Sequence, residues 1–197
     1  MTITSFNQLD LNRTYSYADY LTWQFTEWIE VLKGKIFPMA APVEYHQRIS
    51  WRLGLQMGKY FENQPCRVYA APFDVRLYNK TKSSQADKDI FTVVQPDLCV
   101  ICDLAKLDRR GCLGSPDLIV EILSEGNSEK EMNIKYQIYE ESGVKEYWIV
   151  QPENHSVLRF VANEQGVFIG LKPTTISEPL QSVIFPELQI DLAKVFA

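Results

Sequence analysis

The sequence predicts an α/β protein in which a mixed central β-sheet is flanked by helices. Three observations predict it. Two long segments have helical spacing of apolar residues, and short apolar runs bounded by turn residues lie between and after them. The run at 118–123 alternates at period two and is apolar on both faces apart from Glu121, as expected of a central strand. The order of helix, three or four strands, helix and strand suits a layered domain.

The length and composition favour one domain. The chain has 197 residues, 46% of them hydrophobic, which is enough to bury a sizeable core. No Pro-, Gly- or Ser-rich stretch divides it, and no repeat is visible. We therefore expect a single domain over 1–197, with an N-terminal extension at 1–42, a core at 43–152 and a C-terminal addition at 153–197.

The N-terminal third predicts a helix and hairpin followed by a long helix. Ser16 and Asp19 are placed to cap a short helix that runs to about Gln24. Side chains at 28–36 alternate in strand fashion on either side of Lys33-Gly34, which predicts a β-hairpin. Glu30 is an unexpected acid in this hairpin, since it lies between Ile29 and Val31. Apolar residues then recur at helical spacing from about 43 to 62.

The remaining elements are strands around a second helix. The helix is expected at 128–141, introduced by the Glu125-Gly-Asn-Ser turn and ended by Gly143. Strands are expected at 67–70, 74–78, 92–102, 118–124 and 146–150. Segments 156–161 and 167–171 predict a peripheral hairpin.

Charge, cysteine content and hydropathy limit the binding modes and the cellular compartments that we expect. The formal net charge of -5 argues against binding nucleic acid by bulk charge, so such contacts must be local. Cys99 and Cys102 are three residues apart on a strand and point to opposite faces, which disfavours a shared disulfide or metal. Without a secretory signal or a membrane-length apolar run, we expect a reduced, cytoplasmic setting. Two groups of basic residues, expected in solvated loops, are Lys80, Lys82 and Lys88, and Lys106, Arg109 and Arg110.

Three acids on the predicted strands, Asp74, Asp97 and Glu121, suit a hard cation. Mg²⁺ and Mn²⁺ take oxygen ligands, commonly one or two carboxylates with waters and substrate phosphate. The chain has two histidines, His46 and His155, far apart in sequence, which leaves little for a zinc site.

Glu121 needs a partner because an ionised carboxylate in an apolar strand is costly. Lys135 lies on the apolar side of the next predicted helix, in line with Met132, Ile138 and Tyr139. If the helix folds over the strand, the ammonium of Lys135 can orient a water or stabilise charge developing on phosphorus. Alternatively, Lys135 only neutralises Glu121.

Four segments together carry a family resemblance: QPDLCVICD at 95–103, PDLIVEILS at 116–124, a lysine in the following helix, and GVKEYWIVQP at 143–152. They resemble the Uma2 family of restriction endonucleases, a branch of the PD-(D/E)XK nuclease superfamily. The similarity runs from WIEVLKG at 28–34 to PELQIDL at 186–192. It implies a restriction-endonuclease-like core and Mg²⁺- or Mn²⁺-dependent cleavage of nucleic acid, with DNA the first expectation.

The resemblance also implies roles for single residues. Asp97 resembles the aspartate of the superfamily motif and Glu121 its second acid, the two metal ligands. The motif lysine is expected at position 123, which is leucine here, and Lys135 matches the family's lysine displaced into the next helix. Glu30 resembles the acid of the family's early hairpin, which some superfamily members add to the metal site.

Other polar residues have competing interpretations. Asp117 follows a proline and fits a strand-entry turn better than a metal ligand. Asp74 fits either role. His46 is expected to be packed or at the surface, and Asp103 to organise a turn.

The leading hypothesis is therefore a metal-dependent nuclease with Asp97, Glu121 and Lys135 in its site. The alternative is a nuclease-fold module that binds or assembles without chemistry, motivated by Leu123 and the acidic charge. Trp23, Trp28 and the peripheral hairpin are then candidates for a homodimer contact. A two-carboxylate glycosidase using Asp97 and Glu121 is a third hypothesis, with no further support.

Overall fold

The computed structural model describes residues 3–39, 41–78, 85–124 and 129–197, without the side chains of 129–131. Two features expected from the sequence, the basic pair Lys80 and Lys82 and the helix cap at 125–128, lie outside the described residues. Nothing in the described helices is long and apolar enough to cross a membrane.

The predicted helices and strands occur in the predicted order, but among the described residues seven strands, and not three or four, separate the two long helices. The helices are α1 (Tyr17–Tyr20), α2 (Glu44–Phe61), α3 (Glu129–Ser142) and α4 (Leu192–Phe196). The strands are β1 (Ile29–Leu32), β2 (Lys35–Pro38), β3 (Arg67–Ala70), β4 (Val75–Leu77), β5 (Thr92–Val94), β6 (Leu98–Ile101), β7 (Leu107–Asp108), β8 (Gly111–Leu113), β9 (Leu118–Ile122), β10 (Glu146–Gln151), β11 (Ser156–Ala162), β12 (Phe168–Gly170), β13 (Thr174–Thr175), β14 (Leu180–Gln181) and β15 (Gln189–Ile190).

The strands of the described segments form two main sheets. One has the order β2-β1-β5-β4-β8-β7, and the other β12-β11-β10-β9-β6-β3, with β13 also paired to β11. Each contains one parallel pair, β4–β8 and β9–β10, among antiparallel pairs. The predicted mixed α/β class is confirmed, and the division into three parts along the chain stays a prediction.

The N-terminal hairpin forms as predicted, and the short helix begins with the predicted cap but ends at Tyr20 and not at about Gln24. Ser16 accepts from the Asp19 amide while Asp19 accepts from the Ser16 amide, so the capping box is complete. The β1–β2 turn places Lys33 and Gly34 at φ 49° and 82°, the left-handed pair of a type I′ hairpin turn. The predicted long helix is confirmed as α2.

The segment predicted as one strand at 92–102 is two strands, and this prediction was wrong. Thr92–Val94 belongs to the first sheet and Leu98–Ile101 to the second. Pro96 lies between them and has no N–H to continue a ladder. The chain therefore crosses from one sheet to the other within residues 95–97.

The predicted alternation along β9 is confirmed by two apolar clusters on its opposite faces. Leu118, Val120 and Ile122 pack in the cluster that contains the buried side of α2, including Leu53 and Met57. Ile119 packs in the cluster that contains Ile138 and Tyr139 of α3. Each fully buried aliphatic side chain contributes about 1.5–3 kcal/mol to folding. Helices therefore cover both faces of the strand that carries Glu121.

The cysteines pair in a way that the sequence analysis did not predict. Cys66 and Cys102 form a disulfide, immediately beyond the β3–β6 ladder in which Arg67 is opposite Ile101. Cys99 points to the other face and is buried and free, so the expectation that Cys99 and Cys102 do not share a bond is confirmed. Because disulfides persist mainly in oxidising compartments, this bond does not support the expectation of a reduced, cytoplasmic environment.

The C-terminal segment is fastened to the second sheet by Glu146 at the start of β10. Its carboxylate is fully buried and accepts from Trp148 Nε1 at 2.7 Å. It also accepts from Ser182 Oγ at 2.8 Å and from the amides of Val183 and Ile184 at 3.0 Å each. One buried carboxylate thus satisfies donors from two distant parts of the chain.

We predict that Glu146→Gln lowers the free energy of unfolding by about 3 kcal/mol, because an amide NH₂ then faces the amides of 183 and 184. Urea unfolding followed by circular dichroism measures it. Glu164→Gln, at an exposed position, is the matched control and should leave the midpoint unchanged. Equal midpoints for the two variants would contradict the anchoring role.

Candidate active site

The pairing of β6 with β9 brings the two leading acids together. Leu98 is opposite Val120 in this antiparallel ladder, so the same register extended by one residue places Asp97 opposite Glu121. Asp97 Oδ2 accepts from the Ile122 amide at 2.7 Å, which fixes the carboxylate against β9. The two acids, 24 positions apart in sequence, are cross-strand neighbours.

His46 of α2 is the second neighbour of Asp97. Its Nε2 lies 3.3 Å from Asp97 Oδ2 and 3.1 Å from the Ile122 carbonyl oxygen. Burial lowers the pKa of His46, but the contact with Asp97 outweighs it and the pKa is raised overall. Of the two predictions for His46, packed or at the surface, the first is confirmed. The side chain packs directly against Asp97.

Lys135 lies between two buried carboxylates. Its Nζ is 3.1 Å from Glu121 Oε1 and 2.9 Å from Glu30 Oε2. Tyr139, one turn further along α3, donates to the same Glu121 oxygen. The Lys135, Glu30 and Glu121 side chains are each at most 10% exposed. The helix therefore folds over the strand as its spacing suggests, and Glu121 has two donors.

The side chain of Glu30 is held in place by the segment that connects the two sheets. Its Oε1 accepts from the Gln95 amide at 2.8 Å, in the segment that crosses between the sheets. With Oε2 on Lys135, both oxygens of this acid are engaged. Glu30 therefore supports the position of Lys135, and its role as an added metal ligand stays a prediction.

The charges of the cluster shift its pKa values. Burial raises the pKa of Glu121, Lys135 opposes the shift, and Glu30 and Asp97 add to it, so the pKa is about 7. Burial would lower the pKa of Lys135, but Glu121 and Glu30 outweigh it and hold the pKa well above its usual value. Lys135 thus stays an ammonium and cannot act as a base near neutral pH.

A cleft of about 1140 Å³ opens onto the cluster. Asp97, Glu121, Lys135, Glu30 and His46 all line it, together with residues of α2 and β3. Two of the three N–H donors of Lys135 face its carboxylates, which leaves one for the cleft. A ligand in the cleft can therefore meet two acids and a fixed cation.

Asp97 and Glu121 each have a carboxylate oxygen that is open to a metal ion. Among the described residues, none donates to Asp97 Oδ1 or to Glu121 Oε2, whereas the other oxygen of each acid is hydrogen-bonded. Those residues also contain no group of three or more His, Cys, Asp or Glu side chains arranged to hold a metal. Two carboxylates with waters and substrate phosphate are a usual Mg²⁺ arrangement, so Asp97 and Glu121 fit such an ion.

Three other acids considered from the sequence lie elsewhere. Asp117 accepts from the Cys102 amide and pairs with Lys145 at 2.7 Å, at the entry to β9, where a turn role was expected. Asp74 accepts from Gln95 Nε2 at 2.8 Å and does not line the cleft. Asp103 caps the turn that follows β6 through the Ala105 amide. The structure therefore does not bring Asp74 or Asp117 into the cluster.

Two participants in the cluster were missed from the sequence. Tyr139 was placed on the same helix face as Lys135 but given no role, although a residue four positions further along contacts the same neighbour. Gln95 contributes a backbone amide, which no side-chain pattern reveals. The first could have been found from helical spacing, and the second could not.

The chain is thus an α/β protein whose cleft brings two acids and a lysine together. A family model described as a putative restriction endonuclease, Uma2, matches residues 17–193, and the chain belongs to this family. The chain is also similar in structure to a putative nuclease belonging to DUF820 from Anabaena variabilis. The TM-score is 0.71 at 16% identity, over 92% of this chain and 97% of that one. No curated protein matches the chain.

We predict that Lys135→Met lowers the free energy of unfolding by about 3–5 kcal/mol at pH 8 in chelator, because Glu30 and Glu121 are left buried without their cation. The raised pKa of Lys135 means that its contribution is fully present at pH 8 and is lost only above pH 10. At pH 5 the raised pKa of Glu121 lets this acid bind a proton, so the loss should be smaller. Urea unfolding at both pH values measures it.

Lys145→Met is the matched control, because it also removes a lysine from an acid, Asp117, but Lys145 is 65% exposed. Lys145→Met should lower the free energy of unfolding by less than about 1 kcal/mol at either pH. If Lys135→Met lowered the free energy of unfolding as little as Lys145→Met, or by more at pH 5 than at pH 8, Lys135 would not be the buried cation that balances Glu30 and Glu121.

Proposed function

We propose that the chain is a metal-dependent endonuclease that hydrolyses phosphodiester bonds of nucleic acid in this cleft, with Mg²⁺ or Mn²⁺ as its cofactor and DNA as the first substrate to test. The observation that carries the proposal is the convergence of Asp97, Glu121 and Lys135 on one cleft. They come from three separate elements, and packing alone does not require two acids and a lysine there. Membership of the Uma2 family supports the same reaction.

Asp97 and Glu121 would hold the metal ion. Each has one carboxylate oxygen bound to the protein and one that the described residues leave free. His46 and the Ile122 amide fix the bound oxygen of Asp97, and Lys135 and Tyr139 fix that of Glu121. A bound Mg²⁺ or Mn²⁺ supplies a more acidic water and charge neutralisation at the phosphate.

Lys135 acts as a fixed positive charge. Because its pKa stays well above the usual value, the ammonium keeps its proton throughout the neutral range. Its remaining N–H can donate to the attacking water or to a phosphate oxygen, where it stabilises the negative charge that grows in the transition state. Glu30 holds Lys135 from the opposite side and so acts as a positioning residue.

A catalytically silent module that binds or assembles is the alternative suggested by Leu123. One form of that hypothesis expects Lys135 to point away from the acids, whereas Lys135 Nζ lies 3.1 Å from Glu121. The contact fits both a catalytic lysine and one that only neutralises Glu121, so the cleavage assay below distinguishes them. Leu123 packs at the edge of the cluster that contains Ile119, so the strand position has an apolar role while the helix supplies the lysine. A homodimer and a cytoplasmic location stay predictions.

We predict that Asp97→Asn and Glu121→Gln each reduce cleavage at least about a hundredfold, because each removes a charge that holds the metal ion. The measurement is cleavage of single-stranded and duplex DNA and of RNA in Mg²⁺ or Mn²⁺, with circular dichroism to verify folding. Lys135→Arg should also lose activity, since a guanidinium fits the site poorly.

The control is Glu153→Gln, an exposed acid outside the cleft, which should cleave like the wild type. Metal binding by calorimetry provides a second measurement. If the wild type cuts none of these substrates with either ion and binds no metal, the proposed function is wrong.

A further inference from the structure

The cleft has a rim of exposed aromatic side chains that the hydrolytic site does not use. Trp51 on α2 is 70% exposed and Trp28, just before β1, is 49% exposed. Both line the cleft whose floor carries Asp97 and Glu121. Indole rings left in water are costly, so two of them around one opening indicate a binding surface.

Two glycines widen the cleft next to this rim. Gly54 and Gly58 lie one turn apart on α2 and line the cleft. A Cβ at Gly58 would meet nothing within 4 Å, and one at Gly54 would only touch Leu98 at 3.6 Å. Neither position has a positive φ, so alanine would fit and favour the helix. The glycines thus give up helix stability where a larger residue would narrow the cleft.

Among the described residues, the walls of the cleft carry few charges beyond the acid–lysine cluster. Of its described lining residues, Lys59 and Glu62 are the ones with a full charge outside that cluster, and they have opposite signs. The whole chain carries a net charge of -5. A duplex, which offers mainly phosphates to a shallow surface, therefore finds little electrostatic attraction here.

We propose that Trp51 and Trp28 form a base-stacking subsite, so that the cleft takes single-stranded or locally unpaired nucleic acid and not intact duplex. The proposal rests on the proposed function, since it names the substrate class of the same site. Unpaired bases present their faces to aromatic side chains, and stacking on them contributes affinity that does not depend on sequence. A cleft of about 1140 Å³ exceeds the roughly 300–1,000 Å³ of small-ligand pockets and has room for a short strand.

The geometry also indicates what the subsite does for the reaction. The tryptophans at the rim and the acids at the floor belong to one cavity, so a stacked base holds its strand over the acids. Binding energy gained at the rim then positions the phosphate, which compensates for the low positive charge. A duplex keeps its bases stacked on one another and cannot make this contact.

The test is fluorescence anisotropy with a labelled 20-nucleotide DNA, single-stranded or annealed to its complement, in chelator so that binding is measured without cleavage. We expect the single strand to bind at least about tenfold more tightly than the duplex. Trp51→Ala should weaken single-strand binding by about tenfold and leave duplex binding unchanged, whereas Trp51→Phe should retain most of it. Single strands should also quench the fluorescence of the wild type more than that of Trp51→Phe.

Two further variants make the result specific. Gly58→Leu fills open space in the cleft and should weaken single-strand binding without lowering the unfolding midpoint. Phe91→Ala removes another exposed aromatic side chain, outside the cleft, and should change nothing. Sedimentation of the wild type and Trp51→Ala shows whether the rim instead contacts a second copy.

The outcomes separate this inference from the function on which it rests. Equal binding of single strand and duplex, unchanged by Trp51→Ala, overturns the subsite even if the protein cleaves DNA. A dimer that Trp51→Ala converts to monomer, with DNA binding unchanged, assigns the rim to a second copy and also overturns it. Selective single-strand binding lost in Trp51→Ala, without cleavage in Mg²⁺ or Mn²⁺, supports the subsite and refutes the proposed function.

Discussion

The buried ion pairs of Lys135 join the three parts of the molecule that form the site. Glu30 belongs to the first sheet, Glu121 to the second, and Lys135 to the helix that covers β9. One ammonium therefore holds two sheets and a helix in a fixed relation at the bottom of the cleft. In a low-dielectric interior such contacts are strong only if every partner is present, so loss of one member affects all three elements.

The same cluster carries more negative than positive charge, which a purely structural core would avoid. Glu30, Glu121 and Asp97 face Lys135 and the neighbouring His46. Burial is the main reason why the pKa of Glu121 is raised, and the charges of Glu30 and Asp97 add to it. Burying acids in this way costs stability, and such costs are typical of functional sites. A cation or a phosphate-bound ion in the cleft would relieve the repulsion, so the unfavourable charge balance of the protein alone is consistent with a binding role.

Much of this arrangement could be predicted from the sequence, and the reasons for the rest are physical. The alternation in β9 identified Glu121 as a buried charge, and helical spacing placed Lys135 towards it, because both signals are local. The break at Pro96 was missed because the apolar run continues on both sides of it. The opposition of Asp97 and Glu121 depends on the register of β6 and β9, and the Cys66–Cys102 bond on that of β3 and β6. Register between distant strands leaves no mark in a single sequence.

The crossing between the sheets limits how the chain can vary in length. Residues 95–97 connect β5 to β6, and they also supply the Gln95 amide that holds Glu30 and the side chain of Asp97. Surface loops usually accept insertions, but one extra residue in this connection would change which side chain faces β9. The distance in sequence between these two strands should therefore be fixed among functional relatives, even where the residues themselves differ.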